Sequence, residues 1–370
     1  MWFRLPFARS RTKNTTVLFV DDAVPSDVAG AGQPRAASFV TSLVGAGASV
    51  TFLPTNQKTD ARTHIRSIVP VTVIRSRRSS RVMFKRHARK ADLVIISRPH
   101  NMARFLPIWH SMQNNRVRLV YDAEAIFAER ERDRHKVLGL DRGPEIDRDL
   151  LIELDLARFA DVVLAVSESE AEAFRDAGCT DVRVLGYASQ YQFMTPDFHT
   201  RHGFLFVGPI YGAETPNGDS ISFFADRVWP AVHKALPGVK LKLAGRPHDN
   251  IPAPSDGVVK SGAIDDLGVC YAKARVFIAP TRFAAGIPLK VIDAAAAGVP
   301  VIMTSILAAQ LGWRHGVEAI VADTEEDMVR GCIDLHSNQA MWLAIQQNAL
   351  ARIRADHTSE NFNDVVRALI

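Results

Sequence analysis

The residues best suited to chemistry in this chain of 370 gather in the segment 276–304, VFIAPTRFAAGIPLKVIDAAAAGVPVIMT. Arg282, Gly286, Pro288, Lys290 and Asp293 fall there in a pattern of strand, glycine loop, helix, Gly-x-Pro turn and strand. Pro288 sits where a first helical turn tolerates proline, so the amides of residues 284–287 and the positive end of the helix are expected to face the loop. Such an end favours an anion by about 0.3–1 kcal/mol, up to roughly 2 when partly buried. A cation about 4 Å from a phosphate charge adds on the order of 4 kcal/mol of gross attraction at an effective dielectric near 20, so Arg282 and Lys290 outweigh the dipole. The chemistry expected is the holding of a phosphate-bearing ligand.

Short β-branched runs alternate with amphipathic stretches along the whole chain, which predicts an α/β protein with parallel sheets. Strands are expected at 17–21, 49–53, 93–97, 117–121, 162–166 and 182–185, with helices at 34–44, 82–90, 102–111, 146–159 and 168–176. After a polar, proline-containing stretch the pattern resumes, with strands at 204–207, 240–244, 276–279 and 299–303 and helices at 219–234, 265–273, 289–297 and 325–336. The expected organisation is a basic tail (1–16), a first Rossmann-like domain (17–187), a linker (188–201), a second Rossmann-like domain (202–345) and terminal helices (346–370) that pack back on the first domain. The run 129–136, ERERDRHK, reads as a solvated helical face or loop.

In open parallel sheets ligands bind beyond the carboxyl ends of the strands. Past the first-domain strands lie Asp21-Asp22, Arg98-Pro99-His100, Asp122-Ala123-Glu124 and Ser167-Glu168; past those of the second lie Gly208, Gly245-Arg246, Arg282 and Thr304-Ser305. One rim is rich in carboxylates with a histidine, the other in glycines and arginines. Glu124, His100 and Asp22 are the candidates to receive a proton from a hydroxyl nucleophile, Glu124 foremost because it follows the central strand. Arg246 joins Arg282 and Lys290 as an anion-binding candidate. Gly30 and Gly32 form a loop without the third glycine of a dinucleotide fingerprint, and are candidates for a loop that approaches the ligand.

Composition narrows the classes. Hydrophobic content of 47% is globular, and a formal charge of +5 excludes a polyelectrolyte. The charge is uneven: segments 1–16 and 75–90 hold twelve positive charges and no acid, leaving −7 on the rest. These segments suit an anionic membrane surface or a lipid-linked phosphate. No nucleic-acid motif accompanies them, so nucleic acid is not an expected partner. Cys179, Cys270 and Cys332 have no metal spacing and fit a reducing, cytoplasmic setting, with peripheral contact to the cytoplasmic membrane through the basic segments. The first sixteen residues lack the apolar run of a secretion signal, and the uncharged run 294–313 is broken by Gly298-Val299-Pro300, so it reads as buried helix, turn and strand.

Asp293-Ala-Ala-Ala-Ala-Gly298-Val-Pro300-Val resembles the second half of the motif Glu-x7-Glu followed by Ala-x-Gly-x-Pro-Val in the retaining GT-B glycosyltransferases of the family glycosyl transferases group 1. VLFVDDAVPSDVAGAGQPR, VYDAEAIFAERE, ADVVLAVSESEAEAF and FLFVGPIYGAETPNGDSISFFADRVWP are similar to successive segments of that family, in order. The resemblance implies GT-B architecture, two Rossmann-like domains facing a cleft. It implies a nucleotide-diphosphate sugar, UDP or GDP, as co-substrate without cofactor or metal, and a hexose-type sugar moved with retention to a glycan, lipid-linked or polysaccharide-precursor hydroxyl. By the same resemblance Asp293 binds the donor ribose, and Arg282, Lys290, Gly286 and Arg246 the diphosphate. Two departures stand out: Ala285 replaces the motif's first glutamate, and 209–216 lacks the family's basic residues. A silent nucleotide-sugar-binding or scaffold relative and a nucleotide-sugar epimerase or phosphorylase are alternatives on the same fold.

Overall fold

The computed structural model describes residues 14–25, 32–56, 69–75, 78–112, 116–141, 143–191, 194–245, 256–264 and 266–370. Arg246, Gly30 and the basic tail to residue 13 lie outside the described residues. Two parallel sheets make up the fold, each flanked by helices. The first contains β1 (Thr16–Asp21), β2 (Ser49–Pro54), β3 (Thr72–Val73), β4 (Leu93–Ser97), β5 (Arg118–Asp122), β6 (Val162–Ala165) and β7 (Val182–Val184), in the spatial order β3-β2-β1-β4-β5-β6-β7. The second contains β8 (His202–Val207), β9 (Leu241–Ala244), β10 (Val258–Lys260), β11 (Ala274–Ala279), β12 (Val301–Met303) and β13 (Ile320–Val321), ordered β10-β9-β8-β11-β12-β13. The expected α/β class with two Rossmann-like sheets is therefore present.

Continuous apolar runs form the central strands because both sheet faces are covered: Val17 to Val20 and Leu93 to Ile96 are all buried. In each sheet the order reverses between its first and fourth strands, β1 and β4 in one, β8 and β11 in the other. These are the switch points where the loops part and leave a crevice. The helix Ser359–Arg367 returns to the first sheet, where Phe362 meets Phe39 edge-on with ring centres 6.5 Å apart and Val366 and Leu369 join its core.

Two buried arginines brace the layers. Arg35, on the helix Gln33–Gly45, pairs with Asp122 at 2.8 Å and donates to the carbonyls of Leu185 and Gly186, tying β5 to the end of β7. Arg201 donates to the carbonyls of Tyr271, Ala274 and Ala297, the last just beyond the helix Leu289–Ala296, where a cation complements the helix dipole. The expected helix over 219–234 is interrupted: Pro216–Phe223 and Trp229–Ala235 are joined by a π turn at Phe224–Val228, just before Pro230, which has no amide to donate.

Candidate functional site

Among the described residues only Arg98 (φ 76°) and Glu124 (φ 58°) adopt positive φ without being glycine. Arg98 is the first residue past β4 and Glu124 the second past β5, and such conformations persist where surrounding contacts hold them. Here the contacts are mutual. The Arg98 guanidinium donates to Asp21 Oδ1 at 2.9 Å and pairs with Glu124 Oε2 at 2.8 Å, while Asp22 Oδ2 lies 3.6 Å away. Ser97 Oγ donates to Asp122 at 2.8 Å, which fixes the strand end behind them.

Burial pushes the carboxyls of Glu124 and Asp21 above the ordinary range; the charge of Asp21 adds to the rise of Glu124 and that of Asp22 to the rise of Asp21, while Arg98 opposes the shift in both. Asp22 behaves oppositely. Its partial burial would raise it, but hydrogen bonds from His100 and Asn101 and the charge of Arg98 outweigh that and lower it to about 2. His100 Nε2 lies 2.6 Å from Asp22 Oδ1. The three proton-accepting candidates thus share one rim. Only Glu124 combines near-complete burial with a carboxylate oxygen, Oε1, that has no partner. Gly32 lines the same point: a Cβ there would lie 3.4 Å from Glu124 Oε2.

Across the seam, Lys290 leaves the helix Leu289–Ala296 and donates to Asn217 Oδ1 at 2.7 Å, with its ammonium 4.6 Å from the centre of the Phe206 ring. Asn217 is itself held by donation to the Pro209 carbonyl at 2.8 Å. Among the described residues no carboxylate pairs with Lys290, and burial lowers its pKa to about 7. Arg282 is placed differently from Lys290. It forms a two-pronged ion pair with the buried carboxylate of Asp219 and lies over Phe223. Its charge is therefore compensated within the protein.

Asp293, one turn beyond Lys290, accepts from Ser189 Oγ at 2.9 Å and Tyr187 Oη at 3.2 Å, both from the stretch that joins the sheets. Burial raises its pKa to about 7 against those hydrogen bonds. The Gly286 loop touches the first domain directly. Gly286 has φ 83°, and a Cβ there would stand 2.9 Å from the Glu124 carbonyl oxygen, a distance no side chain tolerates. Its amide donates to Glu170 Oε1 at 3.2 Å.

Of the expected residues, Glu124, Asp22, His100 and Gly32 gather around Arg98 and Gly286 rests against Glu124, while Asp293 bonds the stretch that joins the sheets and Lys290 and Arg282 are partnered by Asn217 and Asp219. Sequence reasoning missed Asn217, Asp219, Glu170, Tyr187 and Ser189. For Glu170 a local signal exists, the Ser167-x-x-Glu170 spacing of a helix cap, but it points to the wrong partner. Among the described residues no group of three or more His, Cys, Asp or Glu could hold a metal ion, and no helix is long and apolar enough to cross a membrane.

Residues 201–338 match the family model Glycosyl transferases group 1. A curated protein of Klebsiella pneumoniae, an uncharacterized 44.6 kDa protein in the cps region, is 27% identical over 167 residues; the match spans 42% of this chain and 42% of that relative. Solved structures share the fold over 96% of the chain. Anabaena Alr3699/HepE in complex with UDP and glucose has a TM-score of 0.70 at 15% identity, covered over 99% of its length. Sucrose-phosphate synthase from Thermosynechococcus elongatus has 0.70 at 14%, covered over 98%, and TarM has 0.71 at 9%, also covered over 98%.

Proposed function

From the match of residues 201–338 to the Glycosyl transferases group 1 family model and the GT-B-like fold, we propose that the protein transfers a sugar from a nucleotide-diphosphate sugar to a hydroxyl acceptor with retention and without a metal. The observation that carries this is Lys290, a half-buried cation with no carboxylate beside it among the described residues, on the helix that follows the Gly286 loop at the switch point of the second sheet. A desolvated ammonium is costly unless an anion completes it, and a diphosphate does so. UDP is the favoured nucleotide, because Anabaena HepE was solved with UDP and UDP-glucose. Asp293 would accept from the ribose hydroxyls, replacing Ser189 and Tyr187, and Arg282 would contribute from its pair with Asp219.

The transition state would resemble an oxocarbenium ion, with the departing diphosphate stabilised by Lys290, the role a metal fills elsewhere, while the Gly286 amide stays with Glu170. With Ala285 where the motif's first glutamate stands, no side chain is an evident nucleophile, and front-side displacement accounts for retention. Glu124 would receive the acceptor proton; its raised pKa makes it the stronger base once ionised. The acceptor would be a glycan, a lipid-linked sugar or a polysaccharide precursor. The basic helix Ser80–Ala88, with Arg81, Lys85 and Arg86, would meet the anionic surface on which a lipid-linked acceptor lies, each cation contributing around 1 kcal/mol.

The test is calorimetric titration with UDP, GDP and their glucose conjugates, followed by transfer assays with lipid-linked and glycan acceptors in chelator. Saturable UDP binding with chelator-resistant transfer is the expected result. Binding without release of UDP from any donor would instead favour the silent relative, in which the Arg282–Asp219 pair and Ala285 mark a lost activity.

A further inference from the structure

Glu170 belongs to the first turn of the helix Glu168–Asp176, and the residue is 6% exposed. Half of a helix cap is present there, since Ser167 Oγ accepts from the Glu170 amide at 3.3 Å. A capping glutamate would complete the motif by turning back to the Ser167 amide. Glu170 leaves its helix instead. Its Oε1 accepts from the Gly286 amide of the second domain at 3.2 Å and from the Ile126 amide of the first at 3.4 Å, while Oε2 is buried with no partner. Ile126 is two residues past Glu124, and the Gly286 backbone rests against the Glu124 carbonyl. One oxygen therefore holds the two loops that carry the candidate base and the candidate phosphate site.

We propose that Glu170 is a positioning residue that fastens the Gly286 loop of the second domain onto the first beside Glu124 and so sets the distance across which transfer occurs. Its role in transfer rests on the function proposed above; its grip on the two loops does not. A buried carboxylate with one oxygen unsatisfied is unfavourable, and burial raises Glu170 to about 7 against the amide hydrogen bonds, Gly286's foremost. A glutamate serving only its own helix could turn toward solvent and avoid that cost. The glycine at 286 completes the device, because any side chain would separate the amide from Glu170.

The experiment uses the full chain with Glu170→Ala and Glu170→Gln, read first by amide hydrogen exchange. Loss of a hydrogen bond to a charged group should speed exchange of the Gly286 and Ile126 amides together by on the order of tenfold or more in Glu170→Ala. Glu170→Gln keeps an acceptor oxygen, and should loosen the same two amides together by a few-fold. UDP affinity should stay within about twofold while kcat falls about tenfold, because donor and base are no longer held in register. Unchanged exchange at Gly286 in a folded Glu170→Ala protein overturns the proposal. Should that variant not fold, Glu170→Gln decides, and loosening at Ile126 without Gly286 overturns it. Absence of UDP binding or transfer in the unmutated protein would count against the proposed function, while the exchange data would still judge Glu170.

Discussion

Lys290→Met is the perturbation with the widest consequences. Methionine keeps an unbranched apolar stem over Phe206 and removes the ammonium, so the change isolates charge from packing. Loss of a hydrogen bond to a charged group, about 1.5–3 kcal/mol net, predicts UDP binding weaker by roughly 10- to 150-fold at pH 6. The pH dependence has a definite sign. Burial lowers Lys290 from 10.5 to about 7, and nucleotide would bind the protonated form, so affinity in the unmutated protein should fall as pH rises through 7. Up to roughly a hundredfold is expected between pH 6 and pH 9, because each pH unit above the free pKa costs a factor of about ten. Asp293, raised to about 7 by burial, ionises in the same window, and the slope that survives in Lys290→Met belongs to it. Stability changes oppositely: between about 7 and 10.5 the unfolded chain carries a proton that folded Lys290 lacks, so this site's contribution to stability rises with pH. Lys290→Met should remove that rise. Isothermal titration of UDP at pH 6, 7, 8 and 9, paired with thermal unfolding, measures both. Equal UDP affinity of the two proteins at pH 6, or flat affinity of the unmutated protein across the range, would show that Lys290 does not hold the diphosphate.

Three further changes separate stability from binding. Arg35→Met leaves Asp122 charged and fully buried and should cost about 3–5 kcal/mol in urea unfolding, part of it recovered by Asp122→Leu in the same chain. Arg282→Ala leaves the Asp219 carboxylate without its guanidinium; about 1–3 kcal/mol of destabilisation is expected, relieved when Asp219→Asn is added, with UDP titration of the double variant reporting what Arg282 contributes to binding. Gly286→Ala forces a Cβ to 2.9 Å from the Glu124 carbonyl at φ 83°, so transfer should fall at least tenfold with about 1–2 kcal/mol lost in thermal unfolding, and unaltered kcat would remove the loop from the seam.

The central strands were legible because they are buried on both faces and so must be continuous apolar runs, such as LFV at 18–20 and VII at 94–96. The short edge strands β3, β10 and β13 were not, since two or three residues carry no periodicity. Strand-end positions gave the rim residues on topology alone. What those residues bond to was hidden, because the pairs are far apart in sequence: Asp219 meets Arg282 across 63 positions and Glu170 meets Gly286 across 116. Arg282 shows the consequence. Its spacing from Lys290 made the two look equivalent, yet a buried carboxylate from the helix Pro216–Phe223 compensates one and not the other.

The charge balance of the seam follows from those pairings rather than from the formal +5. Five carboxylates, Asp21, Asp22, Asp122, Glu124 and Glu170, meet the seam from the first sheet, with Arg35 and Arg98 as their buried or half-buried counterions. Burial shifts Asp21, Glu124 and Glu170 toward the neutral form, whereas Asp22 stays ionised under His100, Asn101 and Arg98. That rim repels a diphosphate and accepts from hydroxyls. The opposite side offers Lys290, without a carboxylate among the described residues, and Arg282 half-exposed in its pair. A ligand bearing phosphates at one end and sugar hydroxyls at the other would lie in only one direction across such a seam, phosphates on the second domain and sugar toward Glu124. Reversing it would set two negative charges against the ionised Asp22 and leave half-buried Lys290 without an anion, both unfavourable. Under the proposed function, electrostatics would therefore orient the donor before any contact specific to base or sugar is made.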